Sequence, residues 1–146
     1  MNRHTIIGKH VGQFEGINVY ESKLLGNIHG KCYGVAIPKR GIIVGKGTFT
    51  CGVKDGMQMM QHEFGHILQY RKYGSLVYWL VIAPESFINA VYFPLSHYSF
   101  WIETWANHLS KEYFSKSWIG GTGYPTQNIS TDKLKKIMNV QSLFKR

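Results

Sequence analysis

The sequence predicts an α+β fold, with a small antiparallel N-terminal sheet followed by helices. Three observations carry this. Residues 1–53 are rich in glycine and β-branched residues. Residues 55–115 place apolar side chains three and four apart, the spacing of a helix with one buried face. Residues 116–146 open on Gly120-Gly121-Thr122-Gly123 and end in a basic segment with one helix-like stretch. At 146 residues the chain has the length of a single domain, large enough to fold without staples. Its residues are 44% hydrophobic, 14% aromatic and only 17% charged, which excludes a disordered chain and a coiled coil. Two cysteines, Cys32 and Cys51, are too few for a disulfide scaffold and leave the redox compartment open.

In the first stretch, Ile17–Tyr20 alternates in part, Tyr33–Ile37 reads as a short strand ended by Pro38, and Arg40–Gly45 reads as another. A helix is predicted from an Asp55 N-cap to about Tyr73, stopped by Gly74, with Met60, Phe64, Ile67, Leu68 and Arg71 as its stripe. A second is predicted from about Tyr98 to Ser115, with Ile102, Trp105, Leu109 and Tyr113 as its stripe. A last helix is predicted to begin at Ser130 or Thr131 and to run through Leu134, Ile137 and Met138.

Residues 76–95 are almost wholly apolar. A membrane span needs about 20 such residues free of charge, and Pro84 and Glu85 interrupt this one at its middle. The segment therefore reads as a buried helical hairpin, or as a loop dipping into a membrane surface. The net charge of +9 suits anionic partners or plain solubility. No nucleic-acid recognition motif accompanies it, so a nucleic-acid partner is not expected. No secretory signal opens the sequence, which leaves a cytoplasmic, membrane-peripheral or larger secreted context as the expectation.

The residues that carry chemistry lie in the first predicted helix, as His62-Glu63-x-x-His66. Residues four apart share a helical face, so both imidazoles can point at one ion. Zinc accepts nitrogen ligands in a four-coordinate shell. Glu63, about 100° around the helix, is offset from that face yet close enough to serve as general base toward a water. Gln61 and Gln69 flank the motif and read as solvent-facing.

A catalytic zinc has three protein ligands and one open position. Glu103 on the second helix is the candidate third ligand, because an inward carboxylate is costly unless paired or bound to metal. Asn107, one turn on, could accept a hydrogen bond from a ligand histidine and fix its tautomer. Glu85, Glu112, His97 and His108 are the rival third ligands, Glu85 the best of them.

Taken together, His62-Glu63-x-x-His66 and Glu103-x-x-Ala106-Asn107 resemble the gluzincin group of zinc metallopeptidases. Within Trp101–Asn107 they also resemble small bacterial proteins that pair a His-Glu-Tyr-Gly-His-type helix with a Trp-x-Glu-x-x-Ala-Asn helix. The likeness covers about residues 40–115. It implies a minimal zincin-like peptidase domain with one zinc per chain and a peptide or protein substrate. Asn107 stands where many gluzincins have Asp, which keeps the hydrogen bond and drops the charge. The resemblance further implies a substrate strand laid along an edge strand at Ile42, Ile43 and Val44, and an oxyanion donor for which His97, Tyr98 and Tyr73 are candidates. A metal-binding domain without catalysis, and a basic domain at a membrane surface, are the alternatives.

Overall fold

The computed structural model describes residues 8–29, 33–50, 53–120 and 124–127. The fold is α+β. Strands β1 (Lys9–Phe14), β2 (Ile17–Ser22), β3 (Gly34–Ile37) and β4 (Gly41–Gly45) form one sheet in the order β1-β2-β4-β3. Helices α1 (Lys23–His29), α2 (Val53–Val77), α3 (Ala83–Tyr92) and α4 (Trp101–Phe114) complete the described elements. The chain forms two compact units, Met1–Ile67 and Leu68–Arg146, and the division falls within α2.

In the first unit, β1 and β2 are an antiparallel hairpin closed by Glu15 and Gly16, both at positive φ, the backbone of the tight turns that match strand twist. Pro38 opens the β3–β4 turn, where the Arg40 N–H donates to the Ile37 carbonyl at 2.9 Å. The sheet is mixed, not antiparallel as predicted. β2 pairs with β4 in parallel, because the chain crosses over through α1 before β3 and β4 return as a hairpin. β1 and α1 had no signal clear enough to be read from the sequence.

β4 is interior, hydrogen-bonded to β2 on one side and β3 on the other. That corrects the substrate edge placed at Ile42, Ile43 and Val44. These residues are buried in the sheet, and Ile42 and Val44 join Val19, Met59 and Met60 in the core of the unit. Their unbroken apolar run is the mark of a strand covered on both faces.

Helix α2 begins at Val53, two residues before the predicted cap, so that Asp55 sits in the first turn, where a carboxylate complements the helix dipole. From Gln61 to Ile67 it is buried all round. Gly74 (φ 84°, ψ 173°) breaks the helical backbone as predicted, but the helix resumes after this kink.

In the second unit, residues 76–95 make neither a hairpin nor a loop. A π-helical turn (Tyr78–Ile82) leads directly into α3. Pro84 explains the turn. It has no N–H to give, and its ring would strike the carbonyl four residues back. The Ala83 N–H instead reaches five residues back to the Tyr78 carbonyl. A 3₁₀ turn (His97–Ser99) precedes α4, whose predicted stripe is buried at Ile102, Trp105 and Leu109 and exposed at Tyr113. Val77, Tyr78 and Ile82 pack with that stripe as the second unit's core. The predicted helix over 130–138 and both cysteines lie outside the described residues.

Candidate metal centre

His62 and His66 lie one turn apart on α2, both buried, with ring centroids 5.0 Å apart and planes nearly perpendicular. Glu103, in the first turn of α4, is 1% exposed. Each of the three offers a ligand atom, and these atoms lie within 4.8 Å of one another. Two imidazole nitrogens and a carboxylate oxygen are a donor set that suits zinc and other borderline divalent ions. The group could therefore hold a metal ion, and among the described residues it is the one cluster that meets this test.

Several side chains of its own unit hold Glu103. The Ser86 hydroxyl donates to Glu103 Oε1 at 2.5 Å. His97 Nε2 stands 3.7 Å from the same oxygen, and its Nδ1–H donates to Asn89 Oδ1 at 2.9 Å. Gln69, fully buried and not solvent-facing as predicted, donates from Nε2 to the Ile102 carbonyl at 2.9 Å, next to Glu103. Gln61 is buried as well. Asn107 is fully buried, and its Nδ2 donates to the Pro125 carbonyl at 3.0 Å.

Glu63 is 6% exposed, and β3 runs directly against it. A Cβ on Gly34 would lie 3.1 Å from Glu63 Cγ and would overlap the Met59 sulfur, so only glycine lets the strand approach this far.

The rival ligands fall elsewhere. His108 and Glu112 pair with each other one turn apart on α4 at 3.2 Å, and Glu85 is not part of the cluster. Of the three candidate oxyanion donors, His97 is beside Glu103. Tyr98 is half exposed and packs against Tyr124. Tyr73 is built into the core against Trp105, with ring centroids 5.1 Å apart, and burial raises the pKa of its hydroxyl. It lies seven residues from His66, about 10 Å along the helix axis.

Ser86, Asn89 and Gly34 are not among the residues that the sequence singles out. The signal for the first two was present: polar residues three apart inside an otherwise apolar run.

Comparison with known proteins finds no matching protein family, no matching curated protein and no matching solved structure. What the fold and the site define is an α+β chain with a buried His–His–Glu group able to hold a metal ion.

Proposed function

We propose that the chain is a zinc-dependent peptidase of the gluzincin kind, with His62, His66 and Glu103 as ligands and Glu63 as general base. The observation that carries this reading is the buried three-residue donor set, with the Glu63 carboxylate on the same helix one residue beyond His62. Three protein ligands leave one position of a tetrahedral shell open, as a catalytic site requires. A zinc ion bound there supplies the Lewis acidity that makes water a nucleophile near neutral pH.

The residues of the chain do the rest. Glu63 takes the proton from the attacking water and hands it to the departing amine, a role that favours a carboxylate shielded from bulk solvent. Ser86 holds the Glu103 carboxylate in one orientation, and Gln69 ties the start of α4 at Ile102. Asn107 Oδ1 is the acceptor for a ligand imidazole. His97, beside Glu103, is the candidate donor to the oxyanion of a peptide substrate, and since its Nδ1–H is on Asn89 it donates from Nε2 only as the imidazolium. With β4 in the middle of the sheet, β3, which touches Glu63, becomes the strand nearest the chemistry.

Elemental analysis and a cleavage assay on unfolded protein substrates test the reading together. Wild type is expected to hold one zinc per chain and to cleave. Glu63→Gln should keep the zinc and lose cleavage, and His66→Ala should lose both. Stoichiometric zinc without turnover on any unfolded substrate would replace the peptidase reading with that of a metal-binding domain.

A further inference from the structure

Sixteen large apolar side chains are exposed among the described residues, and nine of them fall between Leu76 and Leu95. The two sides of α3 explain the pattern. At 100° per residue, Glu85, Ser86, Asn89 and Ala90 share one half of the helix, and Ser86 and Asn89 use it to bind Glu103 and His97. Phe87, Ile88, Val91 and Tyr92 make up the other half and are all exposed, Phe87 at 70% and Tyr92 at 72%. Leu76, Trp79 and Leu80 continue the exposed apolar surface before α3, and Phe93 and Leu95 continue it after.

We propose that this face docks the protein onto an anionic lipid bilayer, with α3 lying in the headgroup region and its Phe87–Val91 side among the acyl chains. Charge selects the partner. None of the chain's 17 Lys and Arg lies between Lys72 and Lys111, while Arg71, Lys72, Lys111 and Lys116 on either side are exposed. An apolar stretch free of Lys and Arg, flanked in sequence by exposed cations on a chain of net charge +9, fits acyl chains bordered by anionic headgroups. Two copies of a chain with a formal charge of +9 would instead approach against net electrostatic repulsion.

The helical run from Asp55 to Tyr92 is long and apolar enough to cross a membrane by length and composition. Two features favour lying on the surface. From Leu76 to Tyr92 the apolar helix has 17 residues, fewer than the roughly 20 a crossing needs. In addition, the Ser86–Asn89 side is already engaged by polar groups of α4 and the turn before it. Trp79 and Tyr92 are residue types that favour the bilayer interface.

The test is sedimentation of the full chain with vesicles of phosphatidylcholine containing about a third phosphatidylglycerol, against phosphatidylcholine alone. Wild type is expected to bind the anionic vesicles, more weakly as salt rises, and Phe87→Glu should bind at least tenfold less with an unchanged circular dichroism spectrum. Brominated acyl chains should quench wild-type tryptophan fluorescence, and Trp79→Phe should remove most of that quenching. The quenching keeps the proposal falsifiable if Phe87→Glu does not fold. No binding to anionic vesicles, full binding by Phe87→Glu, or a wild-type dimer that Phe87→Glu splits into monomers would each overturn it, the last in favour of a second copy. Neither measurement reads zinc or turnover, so this proposal and the peptidase reading can fail separately.

Discussion

Gly34→Ala isolates Glu63 from the rest of the site. The added Cβ would lie 3.1 Å from Glu63 Cγ and 3.4 Å from its Oε1, and would overlap the Met59 sulfur. Met59 has three rotatable bonds and can swing aside at modest cost. Glu63 Cγ must retreat by about 0.4 Å to reach ordinary contact near 3.5 Å. Overpacking a core typically costs about 1–3 kcal/mol, while replacing glycine within a strand returns about 0.5–1 kcal/mol. The net loss is therefore about 1 kcal/mol, or about 2–4 °C in melting temperature for a chain of this size. The effect on turnover should be larger in proportion. A misplacement of about 1 Å can cost 100-fold, so on the proposed peptidase reading a few tenths of an ångström at Glu63 should cost about tenfold. Zinc content should not change, since no metal ligand is displaced. Thermal melts, elemental analysis and a cleavage assay on the same preparations check the three outcomes. A variant that cleaves and melts like wild type would refute the close approach of β3 to Glu63. One that loses zinc and turnover together would place the effect at the metal instead.

Ser86→Ala should weaken metal binding by about 10–100-fold, the usual cost of removing a group that orients a ligand, measured by competition with a chelator of known affinity. Gln69→Leu should cost about 1 kcal/mol in a urea melt for its lost hydrogen bond. Gly74→Ala should cost about 1–3 kcal/mol from backbone strain alone, since no atom lies within 4 Å of the added carbon. Tyr73 makes a pH prediction. Burial raises its pKa, so the folded protein keeps a proton that the unfolded chain releases above pH 10.0. Stability from this group is intact below that pH and falls as pH rises from there through the folded value. Tyr73→Phe should remove that part of the alkaline loss, read as melting temperature against pH.

The His62–His66–Glu103 group, which could hold a metal ion, is legible in the sequence because its logic is local: two histidines four apart on one helix, and a carboxylate on the next. Its support is not. Gln69 reads as a surface flank, but α4 supplies a carbonyl for it, and nothing in the Tyr33–Ile37 strand pattern says that Gly34 lets β3 meet Glu63. Sheet order was misread for a related reason. Ile42, Ile43 and Val44 read the same whether a strand is at an edge or covered on both sides, and only the crossover through α1 decides. Residues 76–95 failed differently. In the sequence Pro84 reads as a break, whereas one wide turn absorbs the missing N–H and the helix continues.

On the two proposals, that continuation gives α3 two jobs that can be separated by substitution. Ser86 and Phe87 are neighbours in sequence, yet a helix turns them about 100° apart, one toward Glu103 and the other away from the protein. A helix held by its own backbone ladder transmits little of a change on one side to the other. Ser86→Ala should therefore loosen the metal and leave vesicle binding intact, while Phe87→Glu should release the vesicles and keep stoichiometric zinc. If instead each substitution impaired both properties, α3 would not be a rigid element with independent sides, and metal binding and docking would have to be explained as one coupled state of the helix.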